Sequence, residues 1–139
     1  MDTADTTLRD LLTSSRTIAV VGHSDNPQRD SYEIGQYLRQ AGYRVYPVNP
    51  LVATIDGRPA YPDLASVPEP IDIVNVFRRP VFLPEIVEAA ILVHARSVWG
   101  QLGVAHQQAE ARARAAGLQV VSNRCILVEH QRLGIVFRD

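Results

Sequence analysis

Residues 17–22 read Thr17-Ile18-Ala19-Val20-Val21-Gly22, an apolar, mostly β-branched run that stops at a glycine. The run does not alternate polar with apolar positions. A strand made from it must therefore be covered on both faces, as in a parallel sheet flanked by helices. The flanking sequence agrees. Upstream, Leu8, Leu11 and Leu12 recur at helical spacing behind Asp5, Thr6 and Thr7 as candidate caps, which predicts a short leading helix over residues 5–14. Downstream, Ile34, Leu38 and Ala41 share one face of a helix over 31–41, with Gly42 as its stop.

The alternation of strand and helix then continues. Tyr43 to Val48 is the second strand, and Pro47, which has no N–H for a ladder, marks an interruption or a position near the sheet edge. Residues 49–70 hold five of the nine prolines and no sustained period, so they predict a structured loop with one helical turn around Leu64. Ile71 to Phe77 is a third strand, followed by a helix over 81–94 whose Leu83, Val87, Ala90 and Ile91 share a face. Ser97 to Leu102 is a fourth strand. His106 to Ala116 is a helix with Ala109, Ala113 and Ala116 inward and Arg112 and Arg114 outward. Leu118 to Ser122 is a fifth strand, and a short apolar segment, Ile126 to Val128, precedes a polar tail.

Strands and helices in alternation with short connections imply an α/β domain, a doubly wound sheet of about five parallel strands with helices on both faces. The expected strand order is 3-2-1-4-5. Open sheets of this kind take ligands outside the carboxyl ends of their strands, where the order reverses. That order would put the crevice between the first and fourth strands, at residues 22–31 and 99–103.

Composition narrows the class further. With 139 residues, 46% of them hydrophobic, the chain suits one domain spanning 1–139. Fourteen basic and fifteen acidic residues leave a net charge of -1, so no overall field draws the chain to nucleic acid or to a membrane, and any anion site must be built locally. Cys125 is the only cysteine, which excludes an internal disulfide framework. No charged-then-apolar leader and no apolar run near ~18 residues is present, so a soluble, cytoplasmic protein is expected.

The loop after the first strand reads Gly22-His23-Ser24-Asp25-Asn26-Pro27-Gln28-Arg29-Asp30-Ser31. Small and polar residues there could turn amides toward a phosphate, with Ser31 capping the following helix and Arg29 adding a charge-assisted contact. The plainer alternative is that Asn26-Pro27 and Asp30-Ser31 only make a turn and a cap. A dinucleotide fingerprint is absent. After Gly22 the next glycine is Gly35, and the second strand ends in Val48-Asn49-Pro50, where an NAD site would carry an acid for the ribose diol.

Five segments in order, VGHSDNPQRDSY, GYRVYPVNP, YPDLASVPEPIDIVNVFRRP, VWGQLGV and NRCILVEH, together resemble the small CoA-binding protein family. That family is related to the CoA-binding amino-terminal domain of the succinyl-CoA synthetase alpha subunit. The resemblance runs from about Leu11 to about Leu133. It implies a Rossmann-like fold that binds coenzyme A or an acyl-CoA across the carboxyl ends of the strands. The pyrophosphate would meet the loop from Gly22 to Arg29, including His23, Ser24, Asn26 and Pro27. Adenine would lie near Val48, Asn49 and Pro50. Pantetheine would run past Phe77, Arg78, Arg79 and Pro80 toward Trp99, Gln101 and Gly103.

The residues themselves are consistent with such a ligand. A chain without net positive charge must place single arginines around an anionic ligand, and Arg29, Arg78, Arg79 and Arg124 each sit in or after a strand end. Each is equally well read as an ordinary surface or ion-paired arginine. Phe77 and Trp99 suit core packing better than ligand contact. Gln101 interrupts a buried strand, so its amide needs a partner from either a ligand or a neighbouring loop. Relatives commonly carry an acid before the Arg-Cys pair and another in the third strand, where this chain has Asn123 and Asn75. Leu51-Val52-Ala53 lacks the basic residue that grips the 3′-phosphate in related domains.

No complete catalytic constellation is visible. Cys125, with Arg124 beside it and His130 nearby, could serve as a redox thiol toward CoA, but a lone cysteine in Cys-Ile-Leu-Val reads first as packing. His23, His94, His106 and His130 are scattered without metal-ligand spacing. His23 is a candidate phosphate contact, His106 a helix start, and His94 and His130 surface residues. Ligase chemistry would need a nucleotide-binding partner domain and a phosphorylated histidine. The favoured reading is a CoA-binding module. The alternatives are a nucleotide-binding regulatory domain, its protein partner unknown, and an enzyme using Cys125.

Overall fold

A computed structural model describes residues 4–136. In chain order the elements are α1 (Asp5–Ser14), β1 (Thr17–Val21), α2 (Asp30–Gln40), β2 (Arg44–Val48), β3 (Thr54–Ile55), β4 (Arg58–Pro59), β5 (Ile73–Val76), α3 (Leu83–Leu92), β6 (Ser97–Gly100), α4 (Gln107–Ala115), β7 (Gln119–Val121) and α5 (Ile126–Arg132). Two 3₁₀ turns, Leu64–Ser66 and Pro80–Phe82, interrupt the connections. The fold is Rossmann-like α/β, with one five-stranded parallel sheet in the order β2-β1-β5-β6-β7 and a separate β3–β4 hairpin.

Among the five long strands this order is 2-1-3-4-5, which corrects the expected 3-2-1-4-5. The reversal point accordingly falls between the first and third strands rather than the first and fourth. The reason lies in the two outer candidates. Ile73–Val76 is buried throughout and needs neighbours on both sides, whereas β2 carries exposed Arg44 and donor-less Pro47 and forms the edge. Beyond that edge, among the described residues, the loop residue Tyr61 pairs with the strand: its amide donates to the Pro47 carbonyl at 2.8 Å and its carbonyl accepts from Asn49 N at 2.8 Å.

Alternate residues of each strand feed two cores. Ile18 and Val20 of β1, Ile73 of β5, Trp99 of β6 and Val121 of β7 pack under α1, α2 and α5. Ala19, Val21, Val74, Val76, Val98 and Val120 pack under α3 and α4. Trp99 is completely buried and its Nε1 donates to the Arg124 carbonyl at 2.8 Å, so it is a core residue. Its size makes it a large single contribution to burial.

The helical ends differ from expectation in several places. The cap position of α1 is Ala4, so Asp5, Thr6 and Thr7, expected as caps, lie inside its first turn. The cap position of α2 is Arg29; Ser31 lies inside the first turn, where its Oγ accepts from Ser24 N at 2.9 Å. Ala116 is exposed because α4 has ended by then. The segment from Ile126 is a seven-residue helix, its β-branched start having masked the period. That helix buries His130, expected at the surface, against Tyr37 and Tyr43. His106 does start a helix: its Nδ1 accepts from Ala109 N at 3.1 Å.

Candidate functional site

The carboxyl ends of β2, β1 and β5 open onto two clefts. The first, of about 570 Å³, is lined by Gly22, Ser24, Gln28, Arg29, Asp30, Ser31, Asn49 and Phe77. The second, of about 270 Å³, is lined by Val21, Val48, Pro50, Pro62, Asp63, Leu64, Arg78, Glu85, Ile86 and Ala89. Consecutive residues of each strand end go to opposite clefts: Val21 and Gly22, Val48 and Asn49, Phe77 and Arg78. This follows from the two-residue period of a strand and puts a polar cleft on one side of the sheet and a more apolar one on the other. Between them Gly22, at φ +89°, lies so close to Arg78 that a Cβ there would stand 3.1 Å from Arg78 Cδ.

The loop from Gly22 to Ser31 is held by its own hydrogen bonds. Asn26 N donates to Ser24 Oγ at 3.0 Å, Gln28 N to Asn26 Oδ1 at 3.0 Å, and Arg29 N to the Asn26 carbonyl at 3.0 Å. Asn49 Nδ2 donates to the His23 carbonyl at 2.9 Å, pinning the loop to the end of β2. The same Asn49 accepts from Leu51 N at 2.9 Å through Oδ1. The loop shape is therefore set before any ligand arrives, which lowers the ordering cost of binding. The first turn of α2 borders the polar cleft with Asp30 and Ser31, giving it the positive end of an eleven-residue helix.

The arginines divide. Arg29 is exposed on the polar cleft and forms no side-chain hydrogen bond or ion pair among the described residues. Arg78 lies over the Phe82 ring, its guanidinium carbon 4.1 Å from the centroid, and Arg79 approaches the same ring at 5.5 Å. Arg78 borders the apolar cleft, while Arg79 is exposed outside both. Asn26 and Pro27 sit at the exposed outer part of the loop.

His23 is buried, and its ring turns away from the polar cleft toward α2. Its Nδ1 donates to the Ser24 carbonyl at 2.8 Å, which leaves Nε2 unprotonated in the neutral ring. Burial holds this imidazole below its ordinary pKa, against the opposing pull of the Ser24 carbonyl.

Against known families, residues 16–131 match the model described as CoA binding domain. The chain belongs to the CoA-binding domain family. It is 37% identical to the uncharacterized protein YneT of Bacillus subtilis over 123 residues, 88% of this chain and 91% of YneT. A solved structure of a hypothetical protein from Pyrococcus horikoshii OT3 is 40% identical, with a TM-score of 0.91 over 94% of this chain and 92% of that one. A more distant relative is the acetate–CoA ligase [ADP-forming] II subunit alpha of Pyrococcus furiosus, 24% identical; the match covers 92% of this chain but 31% of the ligase subunit.

In this CoA-binding domain the ends of β6 and β7 lie apart from the two clefts. Gln101 is buried, and its Oε1 accepts from Ile126 N at 2.9 Å and from Asn75 Nδ2 at 3.1 Å. Strand β5 and the first turn of α5, rather than a neighbouring loop, supply the partners of its carbonyl oxygen. Asn75 Oδ1 is buried without a hydrogen-bond partner among the described residues. Gly103 N donates to Asn123 Oδ1 at 2.6 Å, so Asn123 ties the 101–104 turn through its side-chain oxygen.

Arg124 is ion-paired to Glu129 at 3.2 Å, and Glu129 also holds Arg132, which reaches Asp5 of α1 at 2.8 Å. Cys125, half-buried, occupies the cap position of α5 and packs on the core beneath α1 and α2. Among the described residues no group of three His, Cys, Asp or Glu side chains could hold a metal ion, and no helix is long and apolar enough to cross a membrane.

Sequence reasoning missed Gln28 and Asp30 in the polar cleft, although both lie within the loop it had singled out. It also missed Pro62, Asp63 and Leu64, and Glu85, Ile86 and Ala89, which build the apolar cleft from the long loop and from α3. For the loop residues the sequence carries no period. For the α3 residues the helical period marks a buried face but does not say that its first turns border a cleft.

Proposed function

We propose that the protein binds coenzyme A or an acyl-CoA across the carboxyl ends of β2, β1 and β5 and acts as a binding module. The observation that carries this reading is the pair of clefts meeting at Gly22 and Arg78, one polar and one apolar, at the point where the strand order reverses. CoA has parts of matching character. Its pyrophosphate suits the polar cleft, with Arg29 and the first turn of α2 as donors. Its adenine suits the apolar cleft between Val48, Pro50 and Ile86, with the Arg78 guanidinium available for stacking. The pantetheine arm would leave past Phe77 toward the turn at Gln101 and Gly103.

Family membership supports the ligand class, and the opposed cleft chemistry supports its orientation. Calorimetric titration with CoA, dephospho-CoA and NAD tests both. The expected result is saturable one-to-one binding of CoA that weakens about tenfold in Arg29→Ala, the usual loss for one charge-assisted contact. Binding of NAD without binding of CoA would overturn the reading.

A further inference from the structure

A third pocket, of about 240 Å³, lies between α2 and the β3–β4 hairpin and is bordered by His23, Gln36, Arg39, Asp56 and Arg58. Two arginines, Arg39 and Arg58, line it. Arg39 Nη2 donates to the Val45 carbonyl at 3.2 Å, and among the described residues neither Arg39 nor Arg58 forms an ion pair. The one carboxylate present, on Asp56, accepts from Tyr32 Oη and from Gln36 Nε2 at 3.0 Å, so neutral donors occupy it. Burial and then the Arg58 charge push the Arg39 pKa down, against the opposing pull of the Asp56 carboxylate. His23 also borders the pocket.

We propose that this pocket binds an oxyanion of the phosphomonoester class, clamped between Arg39 and Arg58. Planar guanidinium forks match such an oxyanion, and binding would relieve the repulsion between them. The oxyanion has two possible sources. One is free phosphate, which is independent of the CoA reading. The other is the 3′-phosphate of CoA itself, which rests on that reading and would supply the grip that Leu51-Val52-Ala53 lacks.

Inorganic phosphate titrated into the full chain, followed through the His23 imidazole resonances by NMR, tests the site. The expected result is a saturable one-site shift whose affinity falls about tenfold in Arg58→Gln and in Arg39→Gln but holds in Arg29→Ala. Arg58 is exposed and has no side-chain partner among the described residues, so its replacement is expected to leave folding intact, which a melting curve verifies. A shift that does not saturate, or that is unchanged in Arg58→Gln, overturns the proposal.

CoA and dephospho-CoA then separate the sources. If the 3′-phosphate is the occupant, CoA displaces phosphate and Arg58→Gln erases the preference for CoA over dephospho-CoA. If free phosphate is the occupant, both bind together. Failure of CoA binding with the phosphate shift intact would sink the CoA reading and leave this site standing.

Discussion

The His23 ring occupies the space that a side chain on Gly35 would need: a Cβ at Gly35 would stand 2.4 Å from Nε2 and 2.8 Å from Cδ2. Gly35 is therefore not part of a phosphate fingerprint. It lets α2 approach the loop after β1 closely enough for the imidazole to be buried between them. Gly→Ala inside a helix ordinarily stabilises by ~1 kcal/mol. Here the sign reverses, because the ring is held by the Ser24 carbonyl and cannot step aside freely. Gly35→Ala is expected to lower unfolding free energy by about 1–3 kcal/mol in urea titration.

Gln101 bridges two backbone-distant groups, Asn75 in β5 and the first amide of α5. Gln101→Leu would leave the Ile126 N–H buried without its acceptor and Asn75 Nδ2 with the long, 3.5 Å contact to the Trp99 carbonyl. The expected cost is about 1–3 kcal/mol, from one stranded donor. Gln101→Glu keeps an acceptor and should cost less. Equal losses in the two variants, measured by chemical denaturation, would contradict the bridge.

Both buried imidazoles give stability a dependence on mildly acidic pH. Burial lowers the pKa of His23 and of His130, whose Nδ1 meets Tyr37 Oη at 2.7 Å. With folded values below the unfolded one of about 6.5, the unfolded chain takes up protons first as pH falls. Stability is thus complete above about pH 6.5 and declines as pH drops through each folded value. Thermal midpoints at pH 7.5 should exceed those at about pH 5.5, and His130→Gln should flatten part of that slope. At lower pH a second loss is expected. Hydrogen bonds from Thr17 and Tyr46, then Arg44, hold Glu69 down to about 2, so its contribution disappears between about pH 4.5 and 2.

Asn49 is the pin between β2 and the loop after β1, and it also lines the polar cleft. Asn49→Ala removes a hydrogen bond to the His23 carbonyl and one from Leu51 N. A stability loss of about 1 kcal/mol is expected. CoA affinity should fall more than this global loss implies, because the loop must then be ordered on binding. Parallel denaturation and calorimetry separate the two effects.

Much of the site was legible because strand ends are conspicuous in sequence. Gly22 through Ser31 and Val48-Asn49-Pro50 interrupt apolar runs, and the structure brings Gly22, Ser24, Arg29, Ser31 and Asn49 around one cleft, with Val48 and Pro50 on the next. The orientation of single side chains was not legible. His23 belongs to the same loop as Arg29 but faces the opposite way, because its ring packs on a helix one turn beyond the loop. Arg124 follows a strand end as Arg29 does, yet Glu129 of α5 engages it.

Local pattern by itself determined that this chain alternates strands with helices in a parallel sheet, since unbroken β-branched runs must be covered on both faces and glycines must end the helices. It also marked Pro47 as an edge signal, from the missing donor alone. Only the tertiary structure decided which strand stands beside β1, that α5 buries His130, and that Gln101 serves a helix amide. Those outcomes depend on contacts between residues far apart in the chain, and no periodicity along the chain encodes the partner across it.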